Sequence, residues 1–367
     1  MREVGGMRRK AAVELANHSH VCDLVRMEFP AASLYTDGRI SWIYLWCDTN
    51  GKSRDRWLLF PVGRDPLTKY FRKELSLRDL VINATRRLVL DIDTSDREED
   101  SSSQRSGEPH KPRRLLREVV PSDVDDYIPT AESFFDPALT DDVDLTEEIM
   151  PHGFDVPISG DWFERDFEQF FKRYRRLYAF FYATRPRFVK TLAHKLSIAL
   201  RAPWTGGYSR LNLYNRLSED IPGIHTLRIQ KLQYASPGDV RFEALPEIGE
   251  SIGISTLRYL EYEISVNNEF KNVHQILTRA NLNKLDTSGF SDAILHLSKD
   301  SIAEIVVACE RIAAMLNVHQ EMEHVRAHSP NTAVYAKAVL SFVRQVEMLS
   351  ALQRQGMLDF SEPESPY

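Results

Sequence analysis

Three cysteines, Cys22, Cys47 and Cys309, are all that 367 residues contain, and no two of them stand in a CxxC spacing. So sparse and odd a set excludes a disulfide framework and a paired-cysteine zinc site, and it fits a reducing cytoplasm. No apolar run approaches the roughly 20 residues of a membrane span, so no membrane partner is expected. Met1 to Lys10 is basic and leads into no apolar stretch, which is not the pattern of a secretory signal. Residues 1–30 are expected to be a flexible tail. GxSxG, HExxH, a Walker A loop and a dinucleotide fingerprint are missing as well, and there is no internal repeat. No cofactor and no metal is therefore expected, and no catalytic signature stands out.

The most informative absence is local. Gln169 to Ser218 holds eleven Lys and Arg residues and no acid. An even spread of the 53 acids would put about seven in such a window. The preceding stretch, Val119 to Glu168, is the reverse, with fifteen acids against Arg165 alone. A block of −14 thus precedes a block of +11 in a chain whose net charge is only −6. The basic block is also rich in aromatics: Phe170, Phe171, Tyr174, Tyr178, Phe180, Phe181, Tyr182 and Trp204. Lys and Arg side chains on such a surface can neutralise phosphates, and aromatic rings can stack on bases. The alternative is that the acidic segment folds back and neutralises the basic one.

The 43% of apolar residues is enough for a core. The pattern predicts an α+β fold: an N-terminal antiparallel sheet with helices, a central β-hairpin and a C-terminal helical region. Residues 31–120 form the N-terminal α+β domain, with Asp37-Gly38 and Asn50-Gly51 as turns around a strand that is apolar on both faces. Ser76 and Asp79 predict a capping box. Residues 93–112 lack aromatics and read as a disordered loop. Residues 121–160, punctuated by proline, read as an acidic extended arm. Residues 161–360 carry a helix over 161–183, a second to about Leu200, a hairpin around Ser236-Pro237-Gly238-Asp239 and three long helices, near 254–282, 301–323 and 330–352. Ser301 and Glu304 suggest a second capping box. The stripe Val334, Ala338, Phe342, Val346 and Leu349 predicts a core-facing last helix.

Candidate anion-binding residues follow from the basic block: Lys172, Arg173, Arg176, Arg185, Arg187, Lys190, Lys195, Arg201 and Arg210, with the Gly206-Gly207 loop as a source of backbone N–H groups. Asp91 and Asp93, two residues apart at a strand end, could hold a metal for phosphate chemistry. Glu321-x-x-His324 has the spacing of a di-iron ligand pair, but no second such pair exists, so an exposed polar face is expected there, with His319 and His328.

The segments ISWIYLWCDTNGKSRDRWLLFPV, DPLTKYFRKELSLRDL, YIPTAESFFDP, PWTGGYSRLNLYNRL and IQKLQYASPGDVRF resemble blocks of an uncharacterised bacterial protein family. The resemblance implies a bacterial cytoplasmic protein of a mobile-element or anti-phage gene neighbourhood. It implies no activity and supplies no site residues. The leading expectation is a non-enzymatic module that binds an anionic partner through its basic face: nucleic acid, a nucleotide, or an acidic protein surface such as a partner from the same operon. The alternative is an enzyme acting on a phosphate-containing substrate, nuclease-like, through Asp91 or Asp93.

Overall fold

The structure, a computed structural model, describes residues 18–27, 30–37, 40–47, 54–93, 114–140, 152–185, 195–203, 213–283, 285–287 and 297–360. They fall into two compact units, residues 1–150 with 222–224, and residues 151–221 with 225–367.

The first unit is built on an antiparallel sheet whose strands follow chain order: β1 (Ser19–Arg26), β2 (Pro30–Thr36), β3 (Ser41–Cys47), β4 (Arg54–Val62), β5 (Leu88–Asp93) and β6 (Arg114–Glu118). Alternation along β3 divides its side chains between two buried faces. Ile43 and Cys47 join Leu34, Leu58 and Phe60 in a core with Leu67, Tyr70, Leu80 and Val81, from helices α1 (Arg64–Phe71) and α2 (Leu77–Ile82). Trp42 and Tyr44 lie on the other face with Tyr35, Trp57, Leu59 and Leu90, the Tyr35 and Tyr44 rings stacked at 4.1 Å. The Ser76–Asp79 capping box forms as predicted. At the other end of α2 the buried Arg87 donates to the carbonyls of Val81 and Ile82, where a helix C-terminus runs short of its own donors.

Two expectations are corrected in this unit. Residues 19–26 are strand β1 rather than part of a flexible tail, because Cys22 and Leu24 alternate into the core against β2. Nor is 121–160 one extended arm. Residues 121–140 belong to the first unit, where Val124 and Phe135 enter the core and the Leu77 N–H donates to Ser133 O. Residues 152–158 instead form a strand of the second unit, with Val156 and Ile158 alternating inward. The expected loop at 93–112 lies, after Asp93, outside the described residues.

The second unit combines a small antiparallel sheet, in the order β7 (His152–Ile158), β9 (Gly238–Ala244), β8 (Arg228–Gln233), with helices α3 (Glu164–Thr184), α4 (Leu213–Glu219), α5 (Pro246–Arg279), α6 (Lys299–Met315), α7 (His319–His328) and α8 (Thr332–Arg354). Residues 195–200 are also helical. The hairpin β8–β9 turns where the sequence predicts it. Its closing residue must be glycine, since a Cβ on Gly238 would lie 2.3 Å from Gln233 O.

Helix α3 starts three residues later than the charge pattern suggests. The Asp166 carboxylate accepts from the Phe163 N–H, and Trp162 stacks on Phe167 at 4.7 Å, a hydrophobic staple across the first turn. Helix α5 starts earlier than expected, with Pro246 at its first position, where a missing N–H costs nothing. The helix expected over 301–323 is two helices, because Asn317 adopts the left-handed conformation (φ 56°) and ends α6. The N-cap of α6 is Ser298, which accepts from the Ser301 N–H; Ser301 itself lies inside the helix.

The core of this unit runs along α3, whose Phe170, Tyr174, Leu177, Tyr178 and Phe181 are buried. Tyr174 stacks on Phe242 of β9 at 4.7 Å, and Phe180 meets Phe342 of α8 at 4.7 Å. Among the described residues no helix is long and apolar enough to cross a membrane.

Candidate anion-binding site

Helix α3 buries most of its aromatic residues, leaving Phe167 and Phe171 partly buried, and turns the cations of the same block outward or to a boundary. Phe170, Tyr174, Tyr178, Phe180, Phe181 and Tyr182 are all closed off from solvent, so they cannot form a stacking platform for bases. Arg175 is exposed, whereas Lys172, Arg173 and Arg176 are partly buried.

Arg173 and Arg176 stand one helical turn apart and so share a face. Both reach the same acceptor: Arg173 Nη1 donates to Gln345 Oε1 at 2.9 Å, and Arg176 Nη1 donates to that oxygen at 3.4 Å. Arg173 Nη2 also donates to Gln169 Oε1 at 3.2 Å, within α3. The Arg176 guanidinium lies over the Tyr214 ring of α4, 5.9 Å from its centroid. Among the described residues no carboxylate pairs with Lys172, Arg173, Arg175 or Arg176.

The acceptor comes from an unusual stripe on α8. Lys337, Ser341 and Gln345 follow at intervals of four on one face of the helix, and all three are buried. The Gln345 amide is oriented by a bond from Nε2 to Ser341 O at 3.2 Å. Two turns along, Lys337 Nζ donates to Leu285 O at 2.7 Å.

The electrostatics of this place are unfavourable in its present form. Burial holds Arg173 below the ordinary guanidinium range, and its neighbour Arg176 adds to that. Burial does the same to Arg176, opposed by Tyr214. Both remain charged at neutral pH, since a guanidinium keeps its proton in proteins. Burial also pushes the Tyr214 phenol up, so it stays neutral. Among the described residues Arg173 Nε is buried without a hydrogen-bond partner, and Tyr214 Oη and Ser341 Oγ, which face each other, complete no well-formed bond. Each such orphan costs about 1–3 kcal/mol. The arrangement offers hydrogen-bond donors and positive charge.

The other sequence candidates divide. Arg185 donates to Glu247 O at 2.7 Å and to Ser251 Oγ at 3.0 Å, and its other Nη lies 3.8 Å from Glu247 Oε1. Lys195 forms an ion pair with Asp220 at 2.8 Å. Both tie elements of the second unit together. Arg201 is exposed and donates to Ser197 Oγ at 3.3 Å. Arg187, Lys190, Gly206, Gly207 and Arg210 lie outside the described residues. Tyr214, Ser341 and Gln345 were not among the sequence candidates. A polar interval of four within an otherwise apolar helix is the signal that marks the last two.

Asp91 has a structural partner. It faces Arg56 across β4 and β5, accepting from Nε at 2.6 Å and from Nη2 at 3.1 Å, while Arg56 Nη1 donates to the Tyr127 hydroxyl at 3.2 Å. The backbone of Asp93 pairs with Arg54 at the end of β5. Asp91 is thus committed to an ion pair inside the first unit. The histidines of α7 are likewise engaged: His324 Nδ1 bonds Thr184 O at 2.6 Å and His328 Nδ1 bonds His324 O at 2.8 Å. Among the described residues no cluster of His, Cys, Asp and Glu could hold a metal ion. No family model matches this chain, and neither does any curated protein or solved structure.

Proposed function

We propose that the protein is a non-enzymatic binding module that takes nucleic acid or a nucleotide on the Arg173–Arg176 face of α3. The observation that carries this reading is the convergence of two partly buried guanidiniums on a neutral amide oxygen, with no carboxylate paired to either among the described residues. A fold gains nothing from holding two like charges together in a half-dry site, and perturbed groups of this kind gather where ligands bind. Lys172 and Arg175 extend the positive face of the same helix. Burial of most of the α3 aromatics argues for contact with phosphates rather than bases, hence for binding with little sequence preference. An acidic protein surface, such as an operon partner, is the competing occupant. On the family resemblance, the setting would be a bacterial cytoplasm, in a mobile-element or anti-phage context.

The test is fluorescence anisotropy with a labelled single-stranded oligonucleotide, for wild type and for the Arg173→Gln/Arg176→Gln double variant, with unlabelled nucleotide and an acidic peptide as competitors. The expected result is binding by wild type, loss in the double variant and competition by nucleotide. Binding of the acidic peptide alone would replace nucleic acid by protein as the partner. Equal binding by wild type and variant would move the site away from α3.

A further inference from the structure

The donors at Arg173 and Arg176 continue inward. Next to the guanidiniums, Tyr214 on α4 and Ser341 on α8 are almost wholly closed off; the Tyr214 hydroxyl faces the Ser341 side chain, and among the described residues neither oxygen completes a well-formed hydrogen bond. The Tyr214 ring touches the Arg176 guanidinium, and Ser341 lies one turn before the shared acceptor Gln345 on the same face. Two guanidiniums therefore converge on Gln345 Oε1, with two hydroxyls from α4 and α8 beside them. That is the donor set of an oxyanion site in which a side-chain amide stands where an anion oxygen would be.

The recess of the hydroxyls selects among phosphate groups. An internal phosphodiester continues as chain on both sides and offers only two free oxygens, so it meets a surface and cannot enter behind one. A phosphate monoester ends the molecule that carries it, offers three free oxygens and carries close to two negative charges. Two fixed guanidiniums match that charge, and bidentate forks match its geometry.

We infer that this site takes one terminal phosphoryl group, with one of its oxygens replacing Gln345 Oε1 between Arg173 and Arg176 and the others reaching Tyr214 and Ser341. The inference rests on the anion-binding reading and narrows it from phosphates in general to a phosphate monoester. The same chemistry is offered by inorganic phosphate, by a mononucleotide and by the 5′ end of a strand.

The experiment compares, on the full chain, a short single strand with a 5′-phosphate and the same strand with a 5′-hydroxyl, and adds inorganic phosphate and adenosine 5′-monophosphate as competitors. The expected preference for the 5′-phosphate is about tenfold, as a charge-assisted site would give. Both competitors should displace the strand, and whichever does so at lower concentration identifies the source. Gln345→Glu, which places a carboxylate against both arginines, should abolish the preference. Tyr214→Phe and Ser341→Ala should each reduce it severalfold without shifting the thermal unfolding midpoint downward. Equal affinity for the two strands with no competition by phosphate overturns the inference and leaves the anion-binding reading standing. A preference that survives Gln345→Glu overturns it too, since the phosphate is then held elsewhere. Wild type that binds no strand, nucleotide or phosphate overturns both.

Discussion

Arg173 Nη1 donates to Gln345 Oε1 over 2.9 Å although 172 residues separate the two in the chain. Arg176 reaches for the same oxygen. At this place, where helix α3 meets helix α8, two positive charges share one neutral acceptor. A carboxylate at position 345 would serve the fold better. Its absence is what directs attention to function.

The first consequence is a trade of stability for binding. Arg173→Met keeps the length of the side chain, removes a partly buried charge from beside Arg176 and eliminates the orphan Nε. Replacing such ions by apolar groups is commonly neutral or stabilising. The variant should gain about 1 kcal/mol in chemical denaturation and lose anion binding. A loss of more than about 2 kcal/mol would mean that Arg173 serves the fold instead.

Asp91 gives the opposite expectation. Asp91→Ala removes a bidentate partner and leaves Arg56 part-buried beside Tyr127. The cost should be about 2–3 kcal/mol, below that of a fully buried pair because both side chains keep some exposure. Anion binding should be unchanged. A stable variant that no longer binds would return Asp91 to the list of functional residues.

How much of this was legible beforehand depends on whether a signal is local. The Ser76–Asp79 box and the hairpin before Gly238 are spelled within a few residues, and both form as read. Arg173 and Arg176 were visible through the acid-free window. That window also misled: Arg185 and Lys195 find Glu247 and Asp220 outside it, because ion pairs are made in space and the window counts only along the chain. Gln345 and Tyr214 could not be read as site residues, since nothing in their own neighbourhoods points to α3. In α8 the apolar stripe through Phe342 was read correctly as core, and the polar interval Lys337, Ser341, Gln345 beside it went unread. The start of α3 lies three residues past the expected one because the staple of Trp162 on Phe167, a contact across the first turn, sets the boundary.

Lys337 predicts a pH effect. Burial lowers its pKa to about 8, with Asp286 opposing. In the unfolded chain it titrates at about 10.4. Below pH 8 the lysine is charged in both states and the full cost of burying the charge is present. Between about 8 and 10.4 the unfolded chain binds more protons than the folded one, so stability rises with pH across that window. Compared with Lys337→Met, wild type should therefore be at a disadvantage at pH 7 that shrinks by pH 10, read from urea midpoints. A gap that is constant or widens would contradict the assignment.

Gly238 is the tightest point of the small sheet. Gly238→Ala would set a Cβ against Gln233 O at 2.3 Å and against both Ala235 N and Ala235 O at 2.8 Å, all of them backbone atoms. The hairpin should open or shift at a cost of about 1–3 kcal/mol. Thermal unfolding checks this, and an unchanged midpoint would show that the turn has room that its backbone contacts deny.

The central claim is that Arg173 and Arg176 meet phosphates. Each phosphate neutralised on a single strand adds about 0.7 to the slope of log affinity against log salt. A salt titration of single-strand binding by wild type and by Arg173→Gln/Arg176→Gln measures this directly. If both arginines contact phosphates, the slope of the double variant should be shallower, by about 0.7 where they share one phosphate and about 1.4 where they meet two, with weaker binding at every salt concentration. Parallel lines of equal slope would contradict the claim, because they would mean that neither guanidinium releases counterions when the strand binds.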